Sequence, residues 1–213
     1  MTMPENRLSS PHERFDARVQ RRSAAVLKRR VIEQERRQLE LALDWARDDD
    51  AFERVAAQIV AARRRFILGA AKSFTYASLL ALDLSAGLAN VTLIDGTIVR
   101  PLDVLSDVRS SDVLVAISLS RYRRYTVDMA LQFAKAGGTL IVVTDSPDAP
   151  LVQHASERII VSTESASFAN SPTSVALVIH LLATLTTASA KGAGRRLAER
   201  DRLAESLDLY VEN

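Results

Sequence analysis

At 213 residues, with 47% hydrophobic and 25% charged side chains, the chain has the composition of a globular protein with one good core and room for helical extensions. It has no cysteine, which excludes disulfides, thiolate catalysis and zinc–thiolate sites and fits a cytoplasmic setting. Its 28 basic and 26 acidic residues leave a formal net charge of +2, too small for a polycation, and no apolar run reaches the ~20 residues of a membrane span.

The opening "MTMPENRLSSPHER" is polar and is no signal peptide, so residues 1–14 are expected to form a disordered tail. Between Arg14 and Arg30 lie seven basic residues opposed only by Asp16. This stretch reads either as a phosphate-contacting arm or as a solvated helix face, and its lack of aromatics beyond Phe15 argues against a platform for stacked bases. A helix is expected from about Phe15 to Ala46, with Ile32, Leu39, Ala42, Leu43 and Ala46 on one stripe. The acids of "RDDD" (Arg47 to Asp50) suit the start of a second helix, and Arg63 to Arg65 suit its end. That helix carries Phe52, Val55, Ala56, Ile59 and Val60 at helical spacing. Together with Trp45, residues Phe52, Val55 and Ile59 exceed the apolar surface of a peripheral extension, so a homodimer or a dimer of dimers is expected.

The texture then changes to short apolar strands alternating with helices. Strands are expected at Phe66–Leu68, at "VTLID", at Val113–Ser118, at "TLIVVT" and at Arg158–Val161. Helices fall on "FTYASLLALDLSAGL", on "TVDMALQFAKAGG" with its closing glycines, on 172–190 and on 195–210. Apolar strands alternating with helices imply a parallel sheet covered on both faces, here a three-layer α/β/α sandwich with a five-stranded parallel sheet. In such sheets ligands gather beyond the carboxyl ends of the strands. That edge carries "GAAKS", "SLSRYRRYT", "TDSPDAPL" and the stretch after the fifth strand. Ser73 opens the first core helix, Ser118 and Ser120 end the third strand, and Thr126 starts the next helix. Singly these are ordinary strand-end and cap residues; four at these places favour a pocket for an anionic group.

The ordered set "GAAKS", "ISLS…T" and "TDSPDAPL" resembles the SIS (sugar isomerase) domain, a flavodoxin-like fold that binds phosphosugars, over roughly residues 52–190. The preceding "VIEQERRQLELALDWARDDDAFERVAAQIVAARR", the arginine-rich "RY" loop and the "SF…NS" segment (Ser167, Phe168, Asn170, Ser171) are similar to RpiR-type (MurR/RpiR) transcriptional regulators. The resemblance implies residues 15–50 as a linker and dimerisation helix, 51–190 as the effector-binding domain and 191–213 as a C-terminal helix. It implies a sugar phosphate or similar anionic metabolite as ligand, and contact with DNA only through a helix-turn-helix domain that this sequence lacks.

The sequence departs from the family pattern at four places. Ala71 stands for the second glycine of the first turn, Arg121 for the loop glycine, Arg123 for the loop threonine and Ala149 for the serine before "PL". Arg121 and Arg123 either grip the anion through their planar forks or pair with Asp145 or Asp148 and close the site. The ligand-binding set is therefore Ser73, Ser118, Ser120, Arg121, Arg123 and Thr126, with no metal and no cofactor. A stand-alone sugar-phosphate isomerase needs a base, for which Glu164, His154 and His180 are the candidates. Glu164 also reads as a loop carboxylate, His154 as a surface residue and His180 as packed within its helix. A dimerisation module without ligand is the third reading.

Overall fold

The structure is a computed structural model and describes residues 10–211. Its residues cluster into two compact units.

The first unit comprises residues 10–49 and 161–178. A single turn, α1 (Pro11–Arg14), is closed by a reciprocal cap in which Ser10 and Glu13 each accept the other's backbone N–H. One π turn follows at Phe15–Val19. The long helix α2 (Ala24–Asp48) starts afresh at Ser23, whose hydroxyl accepts the Val26 N–H. The continuous helix expected from Phe15 is thus broken at residues 20–23. Most of the expected tail lies outside the described residues, and its last four residues are helical.

The inward face of α2 also differs from expectation. Gln38 and Ala42 are its buried residues, whereas Ile32 and Leu43 of the anticipated apolar stripe are 57% and 44% exposed. The reason is polar pairing with the loop and helix start near residue 170. The Glu35 carboxylate accepts the Ser171 and Thr173 hydroxyls at 2.5 and 2.6 Å, and the Ser174 hydroxyl reaches the Gln38 carbonyl.

The second unit comprises Asp50–Ile160 and Ile179–Asn213, of which residues up to 211 are described. Helix α3 (Ala51–Ala61) leads into β1 (Arg64–Gly69), α4 (Lys72–Gly87), β2 (Val91–Ile94), a short α5 (Pro101–Leu105) and β3 (Asp112–Ile117). Then come α6 (Arg124–Lys135), β4 (Thr139–Thr144), β5 (Glu157–Ile160), α7 (Thr173–Ser189), which begins in the first unit, and α8 (Ala193–Ser206). The five strands form one parallel sheet of order β2-β1-β3-β4-β5. The expected five-stranded parallel α/β architecture is present, each strand within two residues of its expected place.

Right-handed crossovers place α4 on one face, since it leads outward to β2, and α5 and α6 on the other. On that second face Phe66, Leu68, Leu114, Ala116, Leu140 and Val142 meet Val104 of α5 and Met129, Ala130 and Phe133 of α6. The alternating Ile67, Val115, Ile117, Ile141 and Val143 are equally buried and turn to the opposite face. Phe52, Val55 and Ile59 are also buried, at 2% exposure or less, and α3 packs beside β5. They belong to the core of this unit and are not surface for a partner subunit. No single described helix is long and apolar enough to cross a membrane.

Candidate ligand crevice at the strand switch point

The strand order reverses direction between β1 and β3, so their carboxyl ends diverge into loops that run to opposite faces. In the sheet register Gly69 is paired with Ile117, so Ala70 and Ser118 leave the sheet side by side.

The first loop is tight. A Cβ on Gly69 would lie 2.4 Å from the Ser73 carbonyl oxygen, so only glycine lets β1 turn directly under α4. Ala71 caps α4 with φ +54° and ψ −125°, a conformation that glycine favours. The alanine, which stands where the resemblance places a glycine, thus holds a backbone conformation of the glycine type. Ser73, in the first turn of α4, is buried at 8% exposure.

The second loop is pinned at several points. The Ser118 N–H donates to the Val143 carbonyl, and the Thr144 hydroxyl donates to the Ser118 carbonyl at 2.7 Å. The Ser118 hydroxyl itself is 4% exposed as a residue and has no hydrogen-bond partner. Two residues on, the exposed Ser120 donates its N–H to both Asp145 carboxylate oxygens at 3.0 and 3.1 Å. The Tyr122 phenol donates to the same carboxylate at 3.2 Å, and burial together with the Asp145 charge pushes that phenol up. The Ser120–Arg121 peptide is cis.

Arg123 sits at the N-cap of α6 in extended conformation, and Thr126 is buried at 1% exposure in the first turn of that helix. Arg121 and Arg123 are exposed, and among the described residues neither forms an ion pair with Asp145, Asp148 or any other carboxylate. The alternative in which they plug the site by pairing is absent from this conformation. Ala149, in place of the family serine, is buried at 5% exposure and presents no hydroxyl.

A third loop, after β2, joins the same edge. Asp95 accepts the N–H groups of Thr97, Ile98 and Val99, which hold its carboxyl below the usual range. The Tyr125 phenol lies next to Gly96, and burial followed by the Asp95 charge raises it. Asp95 is marked by no motif, Tyr125 enters the sequence reading only as part of "SLSRYRRYT", and the fold brings the two together at this edge. The six expected residues therefore sit on the two loops flanking the switch point and the helix starts they lead into, with Ser73, Ser118 and Thr126 buried and Ser120, Arg121 and Arg123 exposed.

The candidate bases have these settings. Glu164 belongs to the first unit and accepts the Gln38 side-chain amide at 3.3 Å. His154 is exposed in a one-turn 3-10 helix, and His180 is exposed on α7 where packing was expected. Among the described residues no group of three or more His, Asp and Glu side chains is placed to hold a metal ion.

These features define a doubly wound α/β domain of strand order 2-1-3-4-5, with two helix N-termini and buried hydroxyls at its switch point. The chain belongs to the SIS domain family, whose model matches residues 58–189. Its fold is similar to that of the sugar isomerase domain of an RpiR transcription factor from Sphaerobacter thermophilus. That pair has a TM-score of 0.74 at 23% identity, covering 81% of this chain and 96% of that one. It is similar also to the Vibrio vulnificus NanR protein complexed with ManNAc-6P, with a TM-score of 0.73 at 16% identity over 92% of this chain and 74% of that one. A third neighbour is the Methanococcus jannaschii protein MJ1247, described as a 3-hexulose-6-phosphate isomerase by inference from its structure. It has a TM-score of 0.62 at 14% identity over 79% of this chain and 96% of that one. No curated protein sequence matches this chain.

Proposed function

We propose that this chain is the effector-binding and oligomerisation part of an RpiR-type transcriptional regulator, and that its effector is a sugar phosphate or a closely related anionic carbohydrate derivative. Ser118 carries this reading. A hydroxyl more than nine-tenths buried and without a partner is costly in a finished core, and a phosphate oxygen would satisfy it. Ser73, Ser120 and Thr126 surround the phosphate, assisted by the N-terminal N–H groups of α4 and α6. Arg121 or Arg123 folds over it and supplies positive charge. A regulator fits better than an isomerase, because Asp145 near the crevice is held by Ser120 and Tyr122, and Glu164 is held by Gln38.

The effector works by shifting the balance between arrangements of paired subunits. With Phe52, Val55 and Ile59 in the core, pairing falls instead to the exposed Ile32 and Leu43 of α2. The first part of α2 carries Lys28, Arg29 and Arg30, and its last part is weakly acidic, with Glu40, Asp44 and Asp48 against Arg47. Two copies running antiparallel place basic halves against acidic ones. Calorimetric titration with a panel of sugar phosphates tests the ligand, and a panel without any saturable binder overturns the effector reading. Sedimentation tests the pairing: a monomer at micromolar concentration overturns it.

A further inference from the structure

The amino-terminal edge of the sheet, opposite the Ser118 crevice, carries an open groove of about 1060 Å3. Its wall is α8 from its N-cap Gly192 to Leu203, and its floor includes Arg65, the second residue of β1. Arg65 is 9% exposed and donates to the carbonyls of Ile59, Val60 and Ala89 at 2.7, 2.7 and 3.0 Å. Among the described residues no carboxylate pairs with it, so its charge is buried without a counter-ion. Burial lowers its pKa, yet a guanidinium keeps its proton.

Four more cations line the groove: Lys191, Arg195, Arg196 and Arg200. Arg196 is anchored by its Nε to the Ser85 carbonyl at 3.2 Å, and the others form no ion pair among the described residues. The single carboxylate of the lining, Glu199, is turned to Arg202 at 2.6 and 2.9 Å.

Two of these cations, Arg195 and Arg196, stand at the wrong end of their helix for stability. The amino end of a helix is its positive pole and favours acids. Yet α8 has no acidic residue in its first turn, begins at a left-handed Gly192 without a side-chain cap, and carries Arg195 and Arg196 there. A buried cation, surface cations and the amino end of a helix thus line one groove whose single carboxylate, Glu199, is already paired with Arg202. Conflicts of this sort between local preference and fold mark binding sites.

We infer that this groove is a second anion site, separate from the sugar-phosphate crevice, and that it takes a small molecule carrying a diphosphate. From Arg195 to Arg200 the charges extend along α8 by roughly 7 Å at the usual helical rise, more than a single phosphate spans, and Lys191 lies just before the helix. Val60 and Leu88 add apolar wall on which an organic body could rest.

The test is calorimetry and thermal melting of the full chain with inorganic pyrophosphate. Saturable binding is expected, at least about tenfold tighter than that of inorganic phosphate. Arg195→Ala and Arg200→Ala should each weaken it about tenfold or more, the loss expected for one charge-assisted contact, while Ser118→Ala leaves it unchanged. Without ligand, Arg195→Ala should melt no lower than the parent, because it relieves repulsion at the helix end, and Lys191→Gln provides a second well-folded variant. ADP binding tighter than pyrophosphate upholds the site with an organic body on its apolar wall, and equal binding upholds it with the diphosphate alone. Three results overturn the inference: no saturation with pyrophosphate, equal loss in Ser118→Ala, or tighter binding of a short random DNA duplex than of pyrophosphate.

Discussion

The Asp145 carboxylate accepts the backbone N–H of Ser120 at 3.0 Å, tying the loop after β3 to the loop after β4. Tyr122 adds a second tie to the same carboxylate. Asp145 therefore holds the loop backbone, while the flanking Arg121 and Arg123 stay exposed and without an ion pair. Arg121→Ala and Arg123→Ala should change folding stability by less than about 0.5 kcal/mol, the usual range for surface positions. At the arginine that engages ligand, affinity for a sugar phosphate should fall by roughly ten- to a hundredfold, the equivalent of one charge-assisted hydrogen bond. Titration and melts on both variants decide. Unchanged affinity in both, or a large stability loss in either, means that the arginines serve the fold.

Ser118→Ala should move stability and affinity in opposite directions. Its hydroxyl is buried and unpartnered without ligand, so removing it should leave stability unchanged or raise it by up to about 1 kcal/mol. With ligand, the same hydroxyl becomes a donor to the phosphate, and its loss should weaken binding. Ser120 is already exposed, so Ser120→Ala should have a smaller effect on affinity. A destabilised Ser118→Ala protein with normal affinity would assign the hydroxyl to packing.

The turn after β1 gives a paired prediction. Ala71 holds a positive φ that costs a non-glycine residue on the order of 1–3 kcal/mol, against about 0.4–1 kcal/mol of extra chain entropy lost by a glycine. Ala71→Gly should therefore raise the melting temperature. Gly69→Ala should lower it sharply, because the added methyl meets backbone of α4 that cannot yield. Both are read from thermal melts. A destabilising Ala71→Gly would show that the loop relaxes in solution.

The parallel sheet is legible in the sequence because each strand is a continuous apolar run between turn signals, and a sheet buried on both faces demands that pattern. The candidate site is legible because serines at strand ends and helix starts fall on one edge of such a sheet. Other features fail for definite reasons. Helix α5 has five residues and a 78% exposed Leu102, too little for any periodicity. The inward face of α2 carries Glu35, which accepts two hydroxyls, and Gln38, whose side-chain amide meets the Glu164 carboxylate, each more than a hundred residues away, and no local pattern announces such a partner. The apolar stripe of α3 reads as dimer surface because periodicity shows that a face is covered but not by what. Asp145 shows the same limit, since a carboxylate after a strand looks the same whether it binds arginine or a backbone N–H.

The amino-terminal edge of β3 gives the last prediction, in acid. Asp112 is 1% exposed, and burial alone would push its carboxyl up. Against this, Arg64 donates Nε and a terminal nitrogen at 3.0 and 2.6 Å, and the Arg109 N–H donates at 2.8 Å. The donors prevail, and the carboxyl is held below the usual carboxylate range. Since the folded pKa lies below the unfolded value of about 3.9, Asp112 stabilises the fold fully above that value. That contribution fades as the pH falls through the folded pKa. Asp107, held down by Arg109 and then Arg64, acts in the same direction but is half exposed and contributes less. Asp112→Asn should cost about 1–3 kcal/mol at neutral pH, as expected for breaking a hydrogen-bonded charge pair with one partner a third exposed. It should also flatten the loss of stability below about pH 4, near the ordinary aspartate value. Urea unfolding of both proteins between neutral pH and acid checks this, and parallel acid slopes would show that other carboxylates carry the effect.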